Sequence, residues 1–298
     1  KILAVWYKKN QRNLPWRESR NPYFIWLSEI ILQQTRVAQG LPYFLKFQEA
    51  FPTVQSLAEA EEDKVLKLWQ GLGYYSRARN LMAAAKQVTQ EFQGEFPTDY
   101  DSLMTLKGVG PYTAAAISSI AFNEPKAVVD GNVIRVVSRL FGITESVSEA
   151  SVIKQINELA QSLLDPKNPG RHNQAMMDFG SIQCVPKNPI CLECSLARQC
   201  IAFKNDTVNS IPLKTAKTKR RSRYFHFLLV TDGEQILIEK RGGEDVWAGL
   251  YQFPLIEAQD SALLTNAEFE DMLGLNGVQI FKSTVLKKHI LSHQDIFA

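Results

Sequence analysis

Long apolar runs, net charge and cysteine are all in short supply in this chain. No stretch approaches the roughly twenty apolar residues of a membrane-spanning helix, and Lys1–Lys9 opens the chain with too short an apolar segment for a secretory signal. The expectation is a soluble intracellular protein with no membrane partner. Net charge is +3, from 34 Lys and Arg against 31 Asp and Glu, too little by itself to argue for a polyanionic partner. With 45% hydrophobic and 22% charged residues the composition is ordinary for a globular protein, which excludes wholesale disorder, collagen and coiled coil. Its 298 residues are enough for two domains.

The 4 cysteines all fall in one window, as Cys184, Cys191, Cys194 and Cys200. Thiols gathered this tightly in a reducing compartment point to a metal site rather than to disulfides. Four thiolates can hold a tetrahedral zinc or a [4Fe–4S] cluster. Zinc ribbons generally use two Cys-x2-Cys knuckles far apart, and only Cys191–Cys194 makes one here, so the spacing favours iron–sulfur. Basic residues are clustered too. Lys204, Lys214, Lys217, Lys219, Arg220, Arg221 and Arg223 stand against the single acid Asp206. Such a run is most often a solvated linker, the alternative being a strap against phosphates.

Residues 1–203 read as mostly helical. Asn21-Pro22-Tyr23 opens a helix in which Trp26, Leu27, Ile30, Ile31 and Val37 follow the helical period. The run Val65–Trp69 stops at Gly71 and Gly73, and Leu81–Phe92 stops at Gly94. After a connector at 204–223 the pattern changes. Tyr224–Val230, a turn at Thr231–Glu234 and Gln235–Glu239 read as strand, turn and strand. The expected domains are 1–203, with a metal loop at 184–200, and 224–298. The chain ends at Ala298 without a stop signal, and the second domain is expected to continue past it.

One turn carries chemistry. In Leu106-Lys107-Gly108-Val109-Gly110-Pro111-Tyr112-Thr113-Ala114, two alternate glycines precede a proline suited to a first helical turn. Backbone amides converging there form a phosphate-binding nest, although a G-x-G turn alone is more often a simple helix connector. Asp130 follows in Ala127-Val128-Val129-Asp130.

Hairpin, downstream aspartate and cysteine loop together resemble the helix-hairpin-helix DNA glycosylases, and within them the adenine-specific, MutY-type branch. The narrower match rests on Leu14-Pro15-Trp16-Arg17, Leu27-Ser28-Glu29-Ile30-Ile31-Leu32-Gln33-Gln34-Thr35, Gly71-Leu72-Gly73-Tyr74-Tyr75, Val129-Asp130-Gly131-Asn132-Val133 and Asn173-Gln174-Ala175-Met176-Met177-Asp178. The resemblance implies two helical subdomains with an iron–sulfur loop, followed by a smaller α+β domain similar to the Nudix type. It implies excision of adenine mispaired with 8-oxoguanine or guanine in double-stranded DNA, by a monomer, in the bacterial cytoplasm or a nucleus. Glu29 would be the general acid and Asp130 the carboxylate that stabilises the cationic sugar, with Tyr112 and Asn132 beside them.

The same resemblance assigns the adenine pocket to Trp16, Arg17 and Gln174. Wedging and strand reading fall to Gln34, Thr35, Leu72 and Tyr74, and phosphate contacts to Lys107, Gly108 and Gly110. A sibling branch that nicks DNA carries a lysine where this chain has Tyr112. Tyrosine forms no imine, so a monofunctional enzyme leaving an abasic site is expected. In the second domain the Val246–Pro254 stretch carries the Nudix likeness, yet 255–275 lacks the glutamate-rich metal helix, so binding without hydrolysis is expected. Ser292 and His293 stand where the family recognises 8-oxoguanine, with Leu291 in place of its aromatic. Two other readings remain at this level: a glycosylase for another lesion, such as a damaged pyrimidine, and a catalytically silent DNA-binding scaffold.

Overall fold

The structure is a computed structural model that describes residues 1–213, 220–231, 233–243, 245–260, 262, 265–274, 287–291 and 293–298. It divides into two units, Lys1–Thr215 and Ala216–Ala298. Among the described residues no helix is long and apolar enough to cross a membrane.

The first unit is helical, and two buried helices organise it. Pro22–Leu32 starts where Asn21 Oδ1 accepts from the Tyr23 amide at 2.9 Å, with Pro22 at the first position. It is apolar almost all round, and Trp26, Leu27 and Ile31 are fully buried. Val37, expected to continue it, instead opens a second helix, Val37–Ala50, after a break at Gln34. The break has a backbone cause, since Gln34 adopts φ 56°, outside the right-handed helical region.

Pro111–Ala121 is the second organising helix. Its run of Ala114, Ala115 and Ala116 is buried and lets neighbours approach closely, Pro22–Leu32 on one side and Pro169–Asp178 on another. One core lies among residues 23–88, where Phe47 and Phe51 pack at a tilt and Trp69 meets Phe47 edgewise at 5.7 Å. A second core joins Leu3 and Tyr7 to Val133, Val137, Ile156, Met176 and Phe179. Each large side chain fully buried in these cores contributes roughly 1.5–3 kcal/mol. The expected helix stops hold. Glu62–Trp69 ends before Gly71, and Ser76–Glu91 ends before Gly94, where φ is 83°.

The helical unit runs further than its expected end. Ile201–Lys204 is a helix turn, Ile211 is buried and accepts from Arg139 Nε at 2.9 Å, and Leu213 O accepts from the Val147 amide at 3.0 Å. A strand already begins at Arg221. The connector expected at 204–223 is therefore shorter, because its apolar residues dock on the helices and its last arginines enter a sheet. Lys214, Lys217 and Lys219 lie outside the described residues.

The second unit holds a four-stranded sheet in the order Leu255–Ala258, Arg221–Phe227, Gln294–Phe297, Lys288–Ile290. Arg221–Phe227 pairs antiparallel with Leu255–Ala258 and parallel with Gln294–Phe297. The expected hairpin is only partly there. Thr231 bridges Ile236 and the Leu237 amide donates to Val230 O, while Glu239–Lys240 pairs with Tyr251–Gln252. Asp232 of that turn lies outside the described residues. A buried Arg223, held by Asp245 and Glu257, locks the sheet to the 241–252 segment. A helix, Asn266–Leu273, opens on a Thr265–Glu268 capping box.

Candidate active site and DNA-facing surface

Between the helical cores lies a cavity of about 390 Å³. Trp16, Arg17, Glu29, Thr35, Tyr112, Asp130, Asn132 and Gln174, drawn from five stretches of sequence, all line it. Glu29 projects from the buried helix and is 7% exposed. The Tyr112 hydroxyl donates to its Oε2 at 2.5 Å. Burial pushes the Glu29 carboxyl up to about 7, with nearby Asp130 adding to the rise and the Tyr112 bond and Arg17 opposing it. The carboxyl is thus poised between its acid and base forms at neutral pH. Tyr112 itself is driven well above its ordinary range by burial and by Glu29, so it stays a hydrogen-bond donor.

Asp130 caps the helix Gly131–Phe141. Its Oδ1 accepts from the amides of Asn132 at 2.9 Å and Val133 at 2.8 Å, and its Oδ2 accepts from Asn132 Nδ2 at 2.7 Å. Donors and the positive end of the helix dipole face this carboxylate together. The chain of bonds continues, since Arg135 Nη2 donates to Asn132 Oδ1 at 2.9 Å and Arg135 Nε to Cys184 O at 2.7 Å. The cavity floor is thereby joined to the cysteine loop.

Another wall is ionic. Asp178, with a fully buried side chain, receives a two-pronged contact from Arg17, at 2.7 and 2.9 Å, and a further pair from Arg12. Burial alone would raise the Asp178 carboxyl, but the two guanidiniums outweigh it and hold it below the usual range. Gln174 Oε1 accepts from the Tyr7 hydroxyl at 3.2 Å, and Trp16 stacks edgewise on Phe44. Arg12 and Asp178 carried no assigned role in the sequence. Asp178 stands inside a recognised motif, but its partners lie 161 and 166 positions away.

The four cysteines ring a small cavity of about 30 Å³. Among the described residues no three His, Cys, Asp or Glu side chains converge on a single-ion site. Arg139 is 2% exposed and binds the loop from beneath, donating to Cys184 Sγ at 3.4 Å, Val185 O at 2.8 Å and Pro186 O at 2.9 Å. Cys200 Sγ in turn donates to Arg139 O at 3.3 Å. No residue-spacing rule announced Arg139 or Arg135.

The turn 106–110 presents Lys107 and Gly108 on the surface. Gly108 has φ 74°, and a Cβ there would sit 2.7 Å from Asn80 Cβ, so glycine is demanded twice over. Gly110 differs. Its backbone is unstrained and a Cβ would meet nothing within 4 Å. The helix it opens has no side-chain cap, leaving first-turn amides as free donors. Gln34 and Tyr74 are exposed, both in left-handed backbone, whereas Leu72 is 7% exposed. Arg77 fastens these two turns together, with Nη1 donating to Ile30, Ile31 and Gln33 carbonyls and Nη2 to those of Leu72 and Gly73. In the second unit His293 is exposed and its carbonyl accepts from the Arg221 amide; Ser292 lies outside the described residues.

Residues 27–162 match the HhH-GPD superfamily of base excision DNA repair proteins. An adenine DNA glycosylase of Buchnera aphidicola subsp. Schizaphis graminum is 38% identical over 254 residues, which cover 85% of this chain and 73% of that one. The chain belongs to the adenine DNA glycosylase family. The Homo sapiens adenine DNA glycosylase is 43% identical over 209 residues, covering 67% of this chain and 38% of that one. Among solved structures, a thermostable thymine-DNA glycosylase matches with a TM-score of 0.63 at 28% identity, over 68% of this chain and 94% of that one. A non-covalent endonuclease III–DNA complex matches with a TM-score of 0.59 at 25% identity, over 68% and 92%.

Proposed function

We propose that this enzyme hydrolyses the N-glycosidic bond of adenine mispaired with 8-oxoguanine or guanine in duplex DNA, and leaves an abasic site. The observation that carries the mechanism is a carboxyl near pKa 7, Glu29, in the same cavity as a helix-capping aspartate. A base inside the duplex is out of reach, so the adenine nucleotide is flipped into the cavity. Tyr112 occupies one Glu29 oxygen, and the other is left to deliver its proton to the adenine ring, which turns it into a competent leaving group. As the bond stretches, positive charge develops on the sugar. Asp130, aimed by its three donors, stabilises that charge. Two carboxyls in different surroundings divide acid catalysis from charge stabilisation. Trp16, Arg17 and Gln174 supply stacking and polar contacts to the base.

The open space over Gly110 and the uncapped amides behind it suit a phosphate of the DNA backbone, with Lys107 beside them. Gln34, Thr35 and Tyr74 face the strand, and Leu72 would move outward to wedge the stack. Four thiols spread around a cavity suit a [4Fe–4S] cluster better than one zinc ion, and Cys184, Cys191, Cys194 and Cys200 would hold it in a structural role. The second unit, similar to the Nudix type, would read 8-oxoguanine through Ser292 and His293. The enzyme would act as a monomer in the compartment that holds the genome.

The test is single-turnover adenine release from a duplex with adenine opposite 8-oxoguanine, with Glu29→Gln alongside. Release by the native chain, loss in the variant and strand scission only after alkali are expected. Tight binding without release would overturn the reading.

A further inference from the structure

A second cleft, of about 650 Å³, lies next to the catalytic cavity and shares Arg12, Arg17, Ile120 and Gln174 with it. These four residues form a wall common to the two spaces. Helix polarity says on which side the second cleft lies. Pro22–Leu32 packs against Pro111–Ala121, and Gln33, just past the end of the first, reaches Thr113 in the opening turn of the second at 3.5 Å. The two helices accordingly run in opposite directions. Gln34, Thr35 and the hairpin glycines sit at one shared end. Ser19 and Arg20, ahead of the first helix, and Ser119 and Asn123, at the close of the second, sit at the other, and all four line the cleft. With 11 residues in each helix, the two ends are about 16 Å apart.

That placement matters after the bond has broken. A duplex seated on the hairpin end closes the front of the cavity with its own strand, and the abasic product closes it just as well. Free adenine is then held between the abasic sugar and the shared wall. Two members of the wall are fixed, because Arg12 and Arg17 are tied to the fully buried Asp178. Gln174 is the movable member. It rests on the Tyr7 hydroxyl through a long neutral hydrogen bond, the kind whose loss is small.

The lining suits the product. Asn123 presents an amide, which suits the donor and acceptor edge of adenine, while Asn168 beside it donates through Nδ2 to Asp165 Oδ2 at 3.3 Å. Arg12 and Arg17 are committed to Asp178, and the other charged groups of the lining are Arg20, Arg171 and Glu18. We propose that the cleft is an exit subsite for the free adenine base, entered past Gln174, which lets the product base leave while the enzyme remains on the abasic strand. This rests on the adenine-excision reading above.

The test uses the full chain in excess over a duplex carrying radiolabelled adenine opposite 8-oxoguanine. Bond cleavage is read by quench, adenine release by rapid filtration and duplex release by gel shift. Asn13→Trp and Ser19→Trp, at rim positions exposed to solvent, obstruct the cleft without touching the catalytic cavity. The native chain is expected to release adenine at least tenfold faster than duplex. Each tryptophan is expected to slow adenine release about tenfold and leave cleavage within twofold. Adenine and duplex leaving the native chain together would overturn the proposal, as would unchanged adenine release in a folded tryptophan variant. Should one variant misfold, the other still decides. Absence of cleavage in the native chain would instead remove the adenine reading, and this proposal with it.

Discussion

Glu29→Gln should stabilise the protein above neutral pH while abolishing its activity. Holding a carboxyl at about 7, against 4.5 in its ordinary state, makes the ionised form about 3 kcal/mol less favourable in the folded chain than in the unfolded one. Below pH 4.5 the group is neutral in both states and contributes no penalty. As pH rises from there toward 7, the unfolded chain releases its proton and the folded chain keeps it, so stability falls by about 1.4 kcal/mol per pH unit. Beyond the folded value both states are ionised and the full penalty persists. Glutamine keeps the shape and can still accept from the Tyr112 hydroxyl, yet it has no charge to desolvate. The native and variant curves of stability against pH should therefore meet in acid and separate by about 3 kcal/mol above pH 7.5. Urea unfolding of the helical unit, followed by tryptophan fluorescence at pH 5 and pH 8, measures the gap. A gap that does not widen with pH, or a variant less stable than the native chain at pH 8, would refute the burial argument and remove Glu29 as the poised acid.

Two further changes test the surroundings of that carboxyl. Tyr112→Phe removes a bond that lowers the Glu29 value, so the alkaline fall of the single-turnover excision rate should move to higher pH. A pH–rate profile that stays in place or moves down would contradict it. Asp178→Asn leaves Arg17, whose side chain is 12% exposed, without its counter-charge in a buried wall, whereas Arg12 at 32% can turn toward water. Loss of about 3–5 kcal/mol is expected, with weaker adenine excision, and an unchanged denaturation midpoint would count against the clamp.

The parts of the fold legible in sequence are those whose causes are local. Asn21-Pro22 announces a helix start because cap and proline act within one turn, and Gly71 and Gly94 announce helix stops for the same reason. The sheet was less legible. Tyr224–Val230 is a short apolar run of strand length, but its partners lie at Leu255–Ala258 and Gln294–Phe297, and no turn signal encodes a parallel pairing across some seventy positions. The connector departs from its sequence pattern for a related reason. Basic residues outnumber apolar ones there, yet Ile211 and Leu213 are enough to dock it, and Arg223 is drawn inward by two carboxylates that only the folded sheet supplies.

The site divides along the same line. Asp130 shows itself as a cap two residues before Asn132, and the two-glycine turn shows itself before Pro111, since each is complete within a few residues. What makes the chemistry work is assembled at long range. Glu29 alone is a helical glutamate. Its raised pKa needs the closure of both helical cores over it, with Asp130 from a distant stretch adding to the rise against the opposing bond from Tyr112. The arginines are the clearest case. Arg77 spans the Gln33 and Leu72 turns, Arg135 joins the Asp130 network to the cysteine loop, and Arg139 underlies that loop, each by donating to backbone carbonyls. A guanidinium with five fixed donors can serve several strands of chain at once, and carbonyls look alike in every sequence. Such residues cannot be picked out by pattern, because most of what they bind has no side-chain identity. They fix the distances between recognisable motifs, so the motifs in this chain name the reaction while the unannounced arginines set its geometry.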